Sequence, residues 1–234
     1  NGKHQGDGLD IDKVLDTDQI EIQYGYVVDP ETDEKLCVLR VGRPGYHTLE
    51  EYESEIAWLR QINDYTPLKV ANPISAADGS FIQIIDGDDG VRYFCIATEF
   101  LTGQTLENDN APDAAPKHFE MLGETTAYLH RQTEIWNGTK DIKRPHWTCE
   151  NMIGENGIWG DWHNYPDMTE EDVAEIEECC KIIKRRIERY GVNDQNYGVI
   201  HADLRDTNII VEGDVIKVID FDDFGFGWHL HDLA

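Results

Sequence analysis

A chain of 234 residues has room for one or two domains, and its 40% share of hydrophobic residues is enough for a packed core. With 47 acidic against 20 basic residues the formal charge is −27, which argues against a nucleic-acid backbone or an anionic membrane as partner, since both call for clustered Lys and Arg. A cationic small molecule would be drawn to such a field.

Residues 1–17 are polar and rich in Gly and Asp, and predict a poorly ordered start. Ile20 to Tyr24 and Tyr26 to Val28 read as two strands parted at Gly25, and Leu36 to Val41 as a third after the turn at 29–33. Thr48 and Glu51 have capping-box spacing and open a helix to about Asn63, with Ile56, Leu59 and Ile62 on one face. Phe81 to Ile85 and Val91 to Thr98 predict two more strands around the Asp- and Gly-rich turn 86–90. Glu99 to Gly103 reads as a linker. Long helices are expected from about Asp113 to Trp136 and from Thr169 to Tyr190. The second carries Val173, Ile176, Cys180, Ile183, Ile187 and Tyr190 at steps of three or four, which predicts a buried stripe. The chain thus divides into a polar segment (1–17), a strand-rich lobe (18–98), a linker (99–110) and a mainly helical lobe (111–234). Five cysteines without a CxxC pair give no zinc pattern and fit reduced thiols in the cytoplasm. No long apolar run or signal peptide is visible.

The richest stretch is 199–233. Ile209 to Val211 and Val215 to Ile219 are two β-rich runs, and Gly213-Asp214 between them is a hairpin turn. Folding there sets residue 208 opposite residue 219, so Asn208 and Asp220 emerge together at the open end. An amide oxygen and a carboxylate about 5 Å apart can share a hard cation, Mg2+ being held by oxygen at about 2.1 Å. Asp203, five residues before Asn208, lies in the loop leading into the hairpin. A carboxylate beside a metal pair is what phosphoryl transfer uses to orient the attacking hydroxyl.

His201-x-Asp203-x-x-x-x-Asn208 followed by Ile219-Asp220-Phe221-Asp222 resembles the catalytic segment of the aminoglycoside phosphotransferase / choline kinase superfamily, and looks most similar to its type II homoserine kinase-like subgroup. Protein kinases have Arg at the place of Ala202 and Gly at the place of Asp222. The resemblance implies an α+β, two-lobed protein-kinase-like fold, with a five-stranded antiparallel N-terminal lobe and a helical C-terminal lobe whose last part is expected to lie beyond Ala234. It implies ATP as phosphoryl donor, Mg2+ on Asn208 and Asp220, and Asp203 as the catalytic residue facing the acceptor hydroxyl. Arg40, on the third expected strand where Lys is usual, becomes the phosphate contact, with Glu55 as its helix partner. Glu99, Phe100 and Leu101 meet the adenine through their main chain. His201 is expected to pack the loop, and Asp232 to bond its backbone. Asp222 either contacts a second ion or caps the turn. Trp147, Trp159 and Trp162 resemble a subgroup insert that either shapes the acceptor site or packs between helices. The phosphate-covering loop has no room at Gly25, so it is either absent or left out of this chain. The acceptor stays open among an amino alcohol, a hydroxy amino acid, an aminoglycoside and a protein Ser or Thr. The rival reading is a nucleotide-binding protein of this fold without catalysis.

Overall fold

The computed structural model describes residues 23–29, 31, 32, 34–88, 90–108 and 115–233. The polar segment 1–17 and the expected strand start at Ile20 lie outside them. Strands β1 (Gln23–Val28) and β2 (Lys35–Val41) pair antiparallel, with Tyr26 opposite Val38 and Gly25 opposite Leu39. The break expected at Gly25 is therefore absent: this glycine is buried in the middle of one continuous strand. A lone Gly inside a strand pattern marks close packing as readily as a turn, and here packing decides. Tyr24-Gly25-Tyr26 is thus no place for a phosphate-covering loop.

Helix α1 (Leu49–Tyr65) begins at a complete capping box: the Glu51 amide donates to Thr48 Oγ1 at 3.3 Å, and the Thr48 amide to Glu51 Oε2 at 2.6 Å. Two-residue strands β3 (Lys69–Val70) and β4 (Pro73–Ile74) follow, then β5 (Ile82–Asp86) and β6 (Arg92–Glu99). β6 is the centre of the five-stranded antiparallel sheet, with β2 on one edge and β4 and β5 end to end on the other. Beyond it come β7 (Gln104–Thr105) and helices α2 (Ala115–Ile135), α3 (Cys149–Ile153) and α4 (Glu170–Tyr190).

Strands β8 (Tyr197–Ile200), β9 (Ile209–Glu212), β10 (Val215–Val218) and β11 (Gly225–Trp228) follow, and a 3-10 turn (His229–Leu233) that carries Asp232 ends the described chain. β9 and β10 form the expected hairpin about Gly213, whose φ of 62° suits a residue without a side chain. Two short strands extend it: β3 runs parallel to β10, and β7 antiparallel to β9. β8 pairs with β11, Ile200 opposite Gly225. Loop 201–208 therefore runs from the small sheet to the hairpin, and loop 219–224 runs back beside it. This is how residues far apart in the chain reach one place.

The lobes share their main core. Trp58, Leu59 and Ile62 of α1 pack with Leu129, Ile142, Val199, Ile209, Val218, Phe221 and Phe224. Each such side chain stabilises by about 1.5–3 kcal/mol when buried. Trp58 also donates Nε1–H to Gln132 Oε1 at 2.9 Å, so α1 is pinned to α2. The stripe expected on α4 is not buried. Ile176, Ile183 and Tyr190 are 38%, 44% and 46% exposed, and no residue of the helix is buried. Periodicity reports that one face is apolar, not that something covers it.

Candidate active site

Between the sheet and the hairpin lies a cleft of about 460 Å³. It is lined by Arg40 and Glu55, by Glu99, Phe100 and Leu101, and by Asn208 and Asp220. Of the eight residues expected to be catalytic, to meet the nucleotide or to hold the ion, seven thus meet in one cavity. Asp203 does not line it; it is tied to the cleft through Asn208. Val38, Ile96, Ile210 and Val218 give the cavity apolar walls, and Tyr26, Lys35 and Phe100 form one side. The Lys35 ammonium lies 4.1 Å from the Tyr26 ring centroid, and Tyr26 meets Phe100 edge to face at 5.5 Å.

The hairpin geometry delivers Asn208 and Asp220 as the spacing implies. The Ile219 amide donates to the Asn208 carbonyl at 3.0 Å, which closes the open end of the hairpin. Asn208 Nδ2 donates to the Asp203 carbonyl at 3.0 Å and to Asp203 Oδ2 at 2.8 Å. With its nitrogen committed in that direction, the amide presents its oxygen as the acceptor group. Asp220 has a left-handed backbone, φ 63°, immediately after the strand end. An amide oxygen and a carboxylate are hard oxygen donors, the kind Mg2+ takes when it also keeps phosphate ligands, so the residues present fit a nucleotide-borne Mg2+.

Asp203 is part-buried, and its Oδ2 lies 3.2 Å from Arg205 Nη2. Burial, with the nearby charges of Asp220 and Asp223, pushes its carboxyl above the ordinary range, against the pull of Arg205. A carboxylate with a raised pKa is a better proton acceptor.

His201 holds this loop to the strand end. Its Nδ1 accepts from the Asp203 amide at 3.3 Å and its Nε2 meets the Ile219 carbonyl at 3.1 Å. Burial lowers its pKa, so the ring is neutral, with the proton on the nitrogen that faces a carbonyl. This is the packing role expected from sequence. Asp232 accepts from the amides of His201 at 3.0 Å and Ala202 at 2.8 Å, and Ala202 between them has φ 68°. The carboxylate thus pins a left-handed turn immediately before Asp203, and His130 Nε2 contacts it at 2.8 Å.

Arg40 and Glu55 form the expected ion pair, Nη2 to Oε2 at 2.6 Å, both buried. Asp222 sits at the end of this pair, and neither of its carboxylate oxygens has a hydrogen-bond partner among the described residues. It is buried, with Oδ1 at 3.4 Å from Arg40 Nη1 and 3.5 Å from His47 Nε2. Burial would raise its pKa, but His47, Arg40 and Arg144 outweigh that and hold it below the ordinary range.

Several site residues carry no sequence signal. Buried Arg144 donates to the carbonyls of Phe221 (2.9 Å), Phe224 (2.8 Å) and Asp222, clamping the segment after Asp220. Lys217 donates to the Thr102 carbonyl at 2.7 Å and to Glu212 at 2.8 Å, fastening the linker to the hairpin. A lone Arg or Lys has no periodic signature, although a buried cation in so acidic a chain is notable. Of the tryptophans noted in the sequence, Trp147 is buried and donates Nε1–H to the Asp223 carbonyl at 2.8 Å. Trp159, 57% exposed, stacks on it at 4.9 Å.

A strand lobe over a helical lobe, a paired Arg–Glu in the upper half and an Asp–Asn–Asp set beneath it define a protein-kinase-like phosphotransferase fold. The sequence pattern of the phosphotransferase enzyme family (APH) matches residues 26–234, and the chain belongs to that family. An amicoumacin kinase of Bacillus subtilis (strain 168) is 21% identical over 210 residues, covering 89% of this chain and 58% of the relative. Among solved structures, the microcompartment-associated aminopropanol kinase superposes with a TM-score of 0.78 at 29% identity, covering 92% of this chain and 66% of that one. An amicoumacin kinase in complex with AMP-PNP, Ca2+ and Ami gives 0.71 at 18% identity, over 93% and 60%, and bears on the fold alone. The chain thus spans less than two thirds of the length of these relatives. Among the described residues no helix is long and apolar enough to cross a membrane.

Proposed function

We propose that this protein transfers the γ-phosphoryl group of ATP to a hydroxyl of a small molecule, with Asp203 as the residue that orients the hydroxyl and accepts its proton. The observation that carries the reading is the pair of hydrogen bonds that Asn208 Nδ2 donates to Asp203, one to its carbonyl and one to its carboxylate. It holds a carboxylate with raised proton affinity beside an oxygen pair suited to a phosphate-bound cation.

The residues divide the work. The main chain of Glu99 to Leu101 receives the adenine between apolar walls. Arg40, steadied by Glu55, faces the phosphates from the upper lobe. The Asn208 and Asp220 oxygens would hold Mg2+, whose charge when bound would offset that of the phosphates. Asp203 stands outside the cavity proper, where an acceptor can approach in line. The strongly acidic chain favours a cationic acceptor, and an amino alcohol or hydroxy amino acid fits that charge better than a neutral alcohol. The aminopropanol kinase, the solved structure with the highest identity of those cited, supports the amino alcohol class. ATP as donor and an odd number of cysteines fit a cytoplasmic setting.

The test is ADP release from Mg·ATP by the full-length protein against amino alcohols, hydroxy amino acids and aminoglycosides. Acceptor-dependent release that Asp203→Asn abolishes is expected. Tight Mg·ATP binding with no turnover on any acceptor would make the protein a nucleotide binder without catalysis.

A further inference from the structure

Two departures from the protein-kinase pattern are Arg40, where Lys is usual, and Asp222, where the metal motif has Gly. The structure brings them together. Arg40 donates Nη2–H to Glu55 Oε2 at 2.6 Å, and its Nη1 lies at ion-pair distance, 3.4 Å, from Asp222 Oδ1, with all three side chains buried. We propose that the two departures are one device: Asp222 is a positioning residue that sets the plane of the Arg40 guanidinium toward the nucleotide phosphates. The proposal rests on the phosphotransferase reading above.

Lysine and arginine differ in shape. An ammonium is a point charge, and a single carboxylate fixes it. A guanidinium is a planar fork, and a carboxylate on one prong leaves the plane free to turn. A second carboxylate charge at ion-pair distance from the other prong favours one orientation of the plane over the others. The second carboxylate makes sense only with Arg, because beside Lys it would be a surplus buried charge.

Asp222 is itself held firmly enough to serve as a reference. His47 Nε2 meets its carbonyl at 2.9 Å. Arg144 donates to the carbonyls on both sides of it and to its own, and lies 4.0 Å over the Phe224 ring. Lys143 beside Arg144 donates its amide to Ser54 Oγ at 2.8 Å, next to Glu55. Both carboxylates that grip Arg40 are therefore tied to one framework. Asp222 is two residues from Asp220, so the group facing the phosphates from the upper lobe is set by the segment that holds the ion below.

The experiment is a four-protein cycle on the full-length chain: parent, Arg40→Lys, Asp222→Asn and the double variant, read by titration calorimetry with Mg·ATP. Asp222→Asn is expected to weaken binding about tenfold with Arg40 present, and by less than about twofold in the Arg40→Lys background. Thermal unfolding serves as the control: both single variants and the double variant should keep a cooperative transition, because the bonds of His47 and Arg144 to the 221–224 carbonyls do not involve the Asp222 side chain. Should Asp222→Asn fail to fold, Asp222→Glu keeps the charge, moves it by one methylene and carries the same comparison. Equal loss of binding in both backgrounds, or none in either, overturns the device. A parent protein that binds no Mg·ATP overturns the phosphotransferase reading, and the device falls with it.

Discussion

Asp203 and Asn208 are joined by one amide group, which donates at 2.8 Å to the carboxylate and at 3.0 Å to the carbonyl of the same residue. In the proposed reading, the amide that would turn its oxygen toward Mg2+ therefore also holds the residue proposed to accept the proton. Asn208→Ala removes both functions at once. Turnover is expected to fall about 100-fold or more, together with the affinity for Mg·ATP. Steady-state kinetics across a magnesium titration checks this. Weaker affinity with an unchanged kcat would show that the tether to Asp203 does nothing.

Trp58 is completely buried, meets Phe221 and Phe224 at 5.3 and 4.9 Å between ring centroids, and bonds Gln132. It joins α1, which carries Glu55, to the segment after Asp220. Trp58→Ala is expected to destabilise the protein by about 3–5 kcal/mol through the cavity alone, with Gln132 left unpartnered in addition. Urea unfolding reads this. A loss under about 1 kcal/mol would mean that the shared core does not hold the lobes together.

Gly103 lines the cleft with φ 125°, and a Cβ there would meet Ile210 Cγ2 and the Val211 carbonyl oxygen, each at 2.6 Å. Gly103→Ala forces the linker away from the hairpin, so KM for ATP should rise more than kcat falls. An unchanged KM would place the adenine elsewhere.

Asp232 gives the protein an acid sensitivity whose sign follows from its bonds. Burial pushes its carboxyl up, but the hydrogen bonds from His130 and the Ala202 amide more than offset this and leave its pKa lowered. A carboxyl with a depressed folded pKa contributes stability above its unfolded value, near 3.8, and loses it as pH falls through the folded value. Stability should therefore decline below about pH 4, and Asp232→Asn should be less stable at neutral pH with a flatter acid profile. Parallel profiles for the two proteins would assign the acid loss to other groups.

Much of this site is legible in the amino-acid sequence because its geometry is local. The Gly213 turn fixes which residues of the hairpin face each other, so Asn208 and Ile219 meet as the spacing requires. Thr48 and Glu51 announce α1 for the same reason. The features without a sequence signal depend on contacts between residues distant along the chain. Arg144 reaches the 221–224 carbonyls from about 80 residues away, and no spacing rule links them. β3 and β7 are two residues each, too short for a period to show, and take their conformation from the hairpin they flank. Gly25 misleads because a glycine reads the same in a turn and in a packed strand. The α4 stripe misleads because amphipathicity does not reveal which neighbour is there.

The central claim is the division of labour between Asp203 and Asp220, and titration calorimetry of the full-length protein with ATP, with and without Mg2+, tests it most directly. Asp203→Asn should abolish turnover and leave Mg·ATP binding close to the parent's, because its carboxylate serves the acceptor. Asp220→Asn should lose both, because removing an anionic oxygen from a hard dication leaves phosphate charge uncompensated. Equal loss of Mg·ATP binding in the two variants would contradict the account and make Asp203 an ion ligand instead of the proton acceptor.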